Sequence, residues 1–415
     1  MSAPKPGRKP ALGFIFVTVV LAVLGFGLLI PVLPELVRKF RGDDFSAGSH
    51  SYGVLVSVYA FMQFFGSPIL GSLSDRFGRR KVILIALAGS SLDFVVMALA
   101  PNLAVLFVAR MLGGLTAGVL ATANAYVADV TPAEKRAQSF GMIGAAFGLG
   151  FIIGPLIGGL LGHIDLRLPF WAAAGCSALN WLYGCFVLPE SLAPENRRAF
   201  SWKRANPVGA LVALKRFPAV LGLAESYFIL PLAQMMLFSI WVLYTGYRYQ
   251  WTPREVGLSL TLVGVVSALV QAVLARRIIG RIGDVRAVIF GLLLSAAAQV
   301  LYGLATQGWM IYAIILLGSC AGIAGPAMQS YITKHVPPNE QGAVQGIYSG
   351  LASLAGIPGP LISTWAFGWA IAPGRTFHLP GITFFIAAGL VLIALVLAAR
   401  SFAKDHAPYV APAHS

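Results

Sequence analysis

The chain alternates long apolar runs with short polar connections along most of its length. Each run approaches or exceeds the ~20 residues that an α-helix needs to cross the ~30 Å hydrocarbon core of a bilayer. A helix also satisfies its own backbone hydrogen bonds, which lipid cannot do. The pattern predicts an all-α polytopic membrane protein with twelve spanning helices, over residues 11–36, 52–73, 82–100, 103–128, 138–161, 168–189, 218–246, 255–280, 285–305, 308–333, 341–367 and 378–400.

The composition supports a membrane protein. Of 415 residues, 58% are hydrophobic and 11% are charged, so a soluble fold would have to bury more apolar side chains than its volume allows. The net charge of +15 does not indicate a nucleic-acid partner, because the basic residues lie between the apolar runs and form no single surface. Lipid is therefore the expected surroundings.

The basic residues predict the orientation in the membrane. Of the 30 Lys and Arg residues, 22 fall on the side of the N-terminus and 7 on the opposite side, while Arg110 lies within a span. Short cytoplasmic connections carry such an excess of positive charge. We therefore expect both termini to be cytoplasmic.

One sequence offset relates the two halves. Gly154-Pro155-Leu156-Ile157 recurs 205 residues later as Gly359-Pro360-Leu361-Ile362, and the same offset pairs Pro132 with Pro337 and Gly141 with Gly346. This repeat predicts two six-helix bundles, the design of rocking transporters. The predicted domains are a first bundle over residues 1–189, a cytoplasmic linker over 190–217 and a second bundle over 218–415. The linker is basic, with Arg197, Arg198, Lys203, Arg204, Lys215 and Arg216.

The connection between the second and third helices carries the run Gly71–Lys81, GSLSDRFGRRK. Glycines permit close helix contact and a tight turn, and the basic residues favour the cytoplasmic face. The run resembles the signature loop of the major facilitator superfamily, in which it latches the two halves on the cytoplasmic side. The resemblance implies gate roles for Gly71, Asp75, Arg76, Gly78, Arg79 and Arg80. In the matching segment of the second half, Gly280 replaces Asp75, so we expect a full latch in only one half.

The fifth predicted helix is rich in small residues. Small side chains let helices approach closely, and a proline removes one backbone hydrogen bond and bends the helix. The pattern resembles the motif of the drug–proton antiporters of the superfamily, although glycine-rich packing alone would also explain it. The residues concerned are Gly148, Gly154, Pro155, Gly158 and Gly159.

A charge inside a span is costly and indicates function or pairing. Of the fifteen acidic residues, Asp93 is the one that lies clearly within a span. Asp93 and Arg110 flank the Pro101-Asn102 turn at similar distances, so on antiparallel helices both lie ~12 Å from the outer end and can form an ion pair. The pair is interpreted either as a proton carrier or as a permanent structural contact. Glu225, near the start of the seventh helix, is a second candidate carrier.

Uncharged amides within the spans are candidates for substrate binding, because they can form hydrogen bonds in a cavity. The set is Gln63, Asn124, Gln234, Gln271 and Gln329, with Gln299 as a further amide. Asn124 and Gln329 match at the offset of 205. The aromatic cluster formed by Trp241, Tyr244, Tyr247, Tyr249 and Trp251 is interpreted as an interfacial belt.

Catalytic motifs are missing from the sequence. It contains no Gly-x-x-x-x-Gly-Lys-Ser/Thr phosphate cradle, no nucleophile with a base and no paired metal ligands. An enzyme and a bound cofactor are therefore not expected. A proton gradient is the expected energy source.

Over essentially its whole length the chain resembles the tetracycline exporters. The resemblance rests on Ser74–Lys81, Ser91–Phe94, Ala128-Asp129 with Arg136, and Phe147–Gly150 with Gly154-Pro155, and continues in Gly342–Gly346. It implies an inner-membrane antiporter that works as a monomer and exchanges a small amphipathic drug, carried with a divalent metal in the tetracycline case, for protons. Asp75, Asp93, Arg110 and Asp129 match residues that support this exchange.

The sequence departs from these exporters at three positions. Ala22 and Ser295 stand where the exporters carry acidic residues, and Ser267 replaces a histidine. Export of a drug or metabolite by proton antiport is the leading interpretation. Two alternatives stay open, namely a proton symporter or facilitator for a polar nutrient and a membrane scaffold or sensor.

Overall fold

The computed structural model describes residues 12–132, 135–202, 206, 218–336, 341–374 and 378–403. Within these residues the fold consists of seventeen α-helices, with two short 3₁₀ turns and one π-helical segment. The helices of the first half are α1 Leu12–Leu29, α2 Leu33–Lys39, α3 Phe45–Phe77, α4 Arg79–Leu99, α5 Leu103–Thr116, α6 Val119–Val130, α7 Arg136–Ile164 and α8 Leu168–Phe186. Those of the second half are α9 Pro218–Tyr249, α10 Pro253–Leu269, α11 Arg276–Ile282, α12 Asp284–Leu304, α13 Gly308–Cys320, α14 Ala324–His335, α15 Gln341–Ala355, α16 Pro358–Ile371 and α17 Ile382–Ala403.

Eleven helical stretches in the described part of the chain are long and apolar enough to cross a membrane. Each coincides with a predicted span. The twelfth predicted span, over 168–189, coincides with α8, a helix of 19 residues. Much of the linker predicted over 190–217, including Lys203, Arg204, Lys215 and Arg216, lies outside the described residues, as does Pro337.

Local sequence explains where the helices break. Pro101 follows the end of α4, and the Asn102 side chain accepts a hydrogen bond of 3.1 Å from the Val105 amide at the start of α5. The fourth predicted span is interrupted between α5 and α6 at Ala117-Gly118. There the Ser67 hydroxyl donates a hydrogen bond of 3.1 Å to the Ala117 carbonyl, which the helix break leaves without its usual partner.

The offset of 205 residues found in the sequence reappears in the helix bounds. Helices α4 and α12 start and end at equivalent positions, and so do α6 and α14. Gly78 before α4 has φ +102° and Gly283 before α12 has φ +82°, a conformation that favours glycine in both corners. The two halves therefore share one local design as well as one sequence pattern.

The described residues divide into two compact units. The first contains residues 12–40, 58–206 and 252–261, and the second contains 41–57, 218–251 and 262–403. The apolar core of the first unit includes Ile15, Val19, Ile83, Ala86, Leu87, Val119, Ala123 and Tyr126. That of the second includes Ala287, Val288, Leu292, Ala296, Ala327, Met328 and Val391.

Helices α1 and α7 of the first unit approach each other closely because α7 carries glycines on the facing side. A side chain at Gly154 would collide with the backbone of Gly27, and one at Gly158 would collide with that of Leu28. Close backbone approach of this kind is how membrane helices associate where lipid removes the hydrophobic driving force. Gly154 and Gly158 are therefore packing residues of the first bundle.

Candidate functional site

A buried ion pair lies in the interior of the first unit. Asp93 on α4 and Arg110 on α5 are only 4% and 3% exposed. The Arg110 Nη2 donates to Asp93 Oδ2, so the contact predicted from the spacing around the Pro101-Asn102 turn is confirmed. Burial costs such a pair several kcal/mol of hydration free energy per ion. This cost is of the same order as the attraction between the two charges.

Two neighbouring residues contact the charged groups of the pair or make room for them. The Tyr59 ring of α3 faces the guanidinium of Arg110, with 4.9 Å between Cζ and the ring centroid, a cation–π distance. A side chain at Gly113 would collide with the Asp93 carboxylate, so this position must be glycine for the carboxylate to lie where it does. Among the described residues, Asp93 Oδ1 and Arg110 Nε have no hydrogen-bond partner. The pair therefore keeps an oxygen that can accept a proton.

A second charged cluster lies at the end of the first unit where α3 meets α4. The buried Arg79 donates from Nη1 to Ser74 Oγ and to Asp75 Oδ1, both at 2.6 Å, and from Nε to Asp129 Oδ2 at 3.0 Å. The motif loop is thereby fastened to the end of α6. We call Asp75, Arg79, Asp129 and Glu190 the Arg79 cluster.

Glu190 belongs to this cluster and was missed by the sequence analysis. Its Oε1 accepts from the Arg79 backbone amide at 2.8 Å and from the amides of Ser191 and Leu192 at 3.1 Å. The carboxylate lies at the N-terminus of α4, where negative charge stabilises a helix. An acidic residue directly after the sixth span, opposite a basic loop, was the signal that could have identified it.

The other predicted gate residues have separate contacts. Arg80 donates to the Gly184 carbonyl at 3.4 Å and to the Cys185 carbonyl at the end of α8. Arg76 is exposed, with its guanidinium 5.0 Å from the Phe77 ring centroid. A side chain at Gly71 would meet open space. In the part of the chain that the structure describes, it is Arg79 that pairs with the carboxylates of Asp75 and Asp129.

The predicted antiporter motif on α7 divides into contacts of three kinds. Gly154 and Gly158 face α1, as described above, and Pro155 lies inside the helix. A side chain at Gly159 would meet Pro253 and Gly257 at the start of α10, within the same unit. Gly148 has open space around it. Three of the four glycines thus allow close approach of backbones.

The candidate amides differ in exposure. Gln299 is buried at 5% exposed and Gln63 is half-buried. Asn124, Gln234, Gln271 and Gln329 are exposed although they lie within spans. Gln271 lies in the π-helical segment Val270–Ala275, and such segments often occur at functional sites. Because an amide facing lipid would be costly, we expect these side chains to face a polar cavity.

The aromatic cluster at the end of α9 corrects a prediction. Trp241 and Tyr244 are 4% and 1% exposed, and the Tyr244 hydroxyl donates to the Tyr302 carbonyl at 2.9 Å. Tyr249 donates likewise to the Ala305 carbonyl at 2.9 Å. The interpretation as an interfacial belt is wrong for Trp241 and Tyr244, which pack in the interior of the second unit.

Glu225, the second candidate proton carrier, lies on α9 with an exposed side chain. Glu225 belongs to the second unit, whereas Asp93 and Arg110 belong to the first. Among the described residues, no group of three His, Cys, Asp or Glu side chains could hold a metal ion.

Comparison with known proteins adds to this geometry. The sequence profile of the Major Facilitator Superfamily matches twice, over residues 15–224 and 223–414. The class C tetracycline resistance protein of Escherichia coli is 40% identical over 93% of this chain and 95% of its own. The class G protein of Vibrio anguillarum is 37% identical over 93% and 96%. The crystal structure of the human organic anion transporter MFSD10 (TETRAN) superposes with a TM-score of 0.70 at 27% identity, covering 95% of this chain and 100% of the other.

Proposed function

The chain belongs to the major facilitator superfamily and, within it, to the family of the tetracycline resistance proteins, and we propose that it exports a small amphipathic drug in exchange for protons. It is a multi-pass membrane transporter and not an enzyme. The proposal assigns the proton to Asp93, the gate to the Arg79 cluster and substrate contact to the exposed amides.

One observation carries the assignment of Asp93. The positions 205 residues beyond Asp93 and Arg110 are Ala298 and Ile315, which are 3% and 0% exposed. The same helices thus pack in the second half with apolar side chains in place of the ion pair. Because well-packed apolar residues can replace a buried ion pair without loss of stability, the scaffold does not require the pair. Its presence in one half supports a role in transport.

The pair can couple proton and substrate movement through its charge. A proton on Asp93 removes the partner of Arg110, and an unpaired buried charge costs ~3–5 kcal/mol. That cost favours a rearrangement in which Arg110 finds other partners. The Tyr59 ring already lies in contact and can hold the guanidinium while Asp93 is neutral. Alternating exposure of Asp93 to the two sides would then link the protonation step to the change of state.

The substrate assignment rests on the amides and on the relatives. Exposed Asn124 and Gln329 occupy equivalent positions in the two halves and supply donors and acceptors without charge. We propose tetracycline, carried as a complex with a divalent cation, as one substrate within a wider range of amphipathic compounds. Ala22, Ser267 and Ser295 leave Asp93 without the acidic and histidine partners found in similar exporters, so Asp93 acts as the principal proton carrier.

The remaining elements of the proposal concern the surroundings. The excess of basic residues supports cytoplasmic termini in a bacterial-type inner membrane. On this orientation the Arg79 cluster lies at the cytoplasmic end of the first unit. The transporter works as a monomer in lipid, uses the proton gradient, and needs neither a bound cofactor nor a nucleic acid.

The test is proton movement in inverted membrane vesicles made acid inside, followed with a fluorescent pH dye after tetracycline and magnesium are added. The wild-type chain is expected to release protons only when substrate is present, and Asp93→Asn to release none. Glu195→Gln removes an exposed carboxylate outside the spans and serves as the matched control, with wild-type release expected.

Two results would count against the proposal. If neither tetracycline nor a panel of amphipathic drugs released protons from wild-type vesicles, export by antiport would be refuted. If Asp93→Asn released protons as the wild type does, Asp93 would be a structural partner of Arg110 and the proton would use another group.

A further inference from the structure

The second half contains an ion pair at the position equivalent to the Arg79 cluster. Lys334 Nζ donates to Asp284 Oδ2; the Asp284 side chain is 9% exposed and the Lys334 side chain 61%. Because Gly280 stands at the position equivalent to Asp75, we expected no full latch here. The contact uses a different pair of positions, 205 residues beyond Arg79 and Asp129.

The two pairs occupy equivalent positions and have opposite polarity. Each joins the first residue of one helix to the end of another, Arg79 to Asp129 and Asp284 to Lys334, and in both cases the partners are 50 positions apart in the sequence. Gly283 precedes Asp284 with the positive φ that Gly78 adopts before Arg79. The turn at the glycine before the helix is therefore retained, while the acidic and basic partners exchange places.

Helix dipoles explain how the reversed pair is stable with fewer contacts. Asp284 lies at the N-terminus of α12 and Lys334 in the last turn of α14, so each charge is stabilised by the helix that carries it. In the first half Arg79 and Asp129 lie at the disfavoured ends, and Glu190 and Ser74 add the contacts that compensate. The end of α14 is fixed further by Gln341, which donates to the Thr333 carbonyl at 3.2 Å.

We propose that Asp284 and Lys334 form a second cytoplasmic latch of reversed charge, which holds α12 to α14 and must loosen during each transport cycle. The proposal rests on the proposed export function. Asp284 and Lys334 are positioning residues, because they act through the helix ends that they hold together.

Two measurements test the latch, on Asp284→Asn, Lys334→Gln and the exchanged variant Asp284→Lys with Lys334→Asp. Hydrogen–deuterium exchange in the purified protein is expected to rise about threefold or more at the start of α12 and the end of α14 in both single variants. The maximal rate of substrate-dependent proton release is expected to change about three- to tenfold at unchanged KM. Arg286→Gln, which removes an exposed charge two residues away, is the matched control and is expected to match the wild type.

Two further variants, one with exchanged charges and one conservative, distinguish the loss of charge attraction from a folding defect. The exchanged pair should return both readouts towards the wild type, although incompletely because its charges oppose the helix dipoles. Asp284→Glu keeps the charge and should retain the wild-type rate. Unchanged deuterium exchange in both single variants would overturn the latch, and so would altered exchange without any change in rate. If wild-type vesicles move no protons with any drug, the export function fails instead, and deuterium exchange still decides whether the pair fastens the two helices.

Discussion

A single methyl group next to Asp93 provides a sharp test of the ion-pair geometry. A Cβ built at Gly113 lies 2.7 Å from the Asp93 Cγ, closer than real Cβ contacts occur. The Asp93 side chain cannot move away easily, since it is 4% exposed and paired with Arg110. Gly113→Ala must therefore move either the carboxylate or the helix α5 that carries Gly113.

The expected cost follows from two opposing effects. Alanine stabilises a helix by ~0.5–1 kcal/mol relative to glycine, whereas overpacking a close-packed site costs ~1–3 kcal/mol. If the carboxylate moves away from Arg110, the unpaired charge adds ~3–5 kcal/mol. Packing alone therefore gives a net loss of about 0–2.5 kcal/mol in the free energy of unfolding, and a displaced carboxylate raises the loss to ~3 kcal/mol or more. We expect the carboxylate to move and Gly113→Ala to slow proton release at least about tenfold, which corresponds to a barrier raised by ~1.4 kcal/mol.

Gly175→Ala is the matched control. Gly175 is also a glycine inside a helix, α8 of the same unit, and a Cβ there would meet no atom within 4 Å. This variant should keep the wild-type rate and be equally or slightly more stable. Thermal unfolding in detergent and the pH-dye assay in inverted vesicles measure both quantities on the same preparations.

The same substitution in an Asp93→Ala protein tests whether the carboxylate causes the collision. In Asp93→Ala the colliding carboxylate is gone, so adding Gly113→Ala should cause no further loss of stability, and the two changes should be strongly non-additive. If Gly113→Ala behaved like Gly175→Ala, the arrangement of α4 and α5 around the pair described here would be incorrect.

Three further predictions concern other parts of the site. Glu190→Gln removes the carboxylate charge at the start of α4 and should lower the unfolding free energy by ~0.5–2 kcal/mol in thermal unfolding; a stability equal to that of the wild type would contradict its role there. Tyr59→Phe keeps the ring over Arg110 and should release protons normally in the dye assay, whereas Tyr59→Leu should be about tenfold slower, and equal rates would exclude the cation–π contact. Asn124→Ala and Gln329→Ala should each raise the KM for drug about tenfold at an unchanged maximal rate, and an unaltered KM would remove these amides from the binding site.

Hydrophobic periodicity was sufficient to predict the spans, because membrane helices must be apolar over a fixed length. It could not locate interruptions such as Ala117-Gly118, which depend on contacts with α3 that only the packed structure shows. The same limit affected the aromatic cluster on α9. Trp241 and Tyr244 have the composition of an interfacial belt, yet their polar atoms and rings find partners in the bundle interior.

The candidate site was predictable where geometry followed from a single turn. Asp93 and Arg110 flank one short connection, so helical rise alone placed them at the same depth. Glu190 was not predictable in this way, because it reaches Arg79 across 111 residues of sequence and contacts a backbone amide. The role of Lys334 was not predictable either. A motif search compares residue identities, whereas the second half retains the contact with the charges exchanged.

Differences between the two halves distinguish residues that the fold requires from residues that transport requires. At the helix corners both halves have an ion pair, and its sign is reversed, as expected if attraction between the two helix ends matters more than which end carries the positive charge. At the depth of Asp93 only the first half keeps charge, and the second fills the same positions with Ala298 and Ile315. A requirement of the fold would be expected in both halves, whereas one proton carrier is sufficient for coupling. On the proposed function, the corner pairs belong to the framework that moves, and Asp93 with Arg110 to the chemistry that drives it.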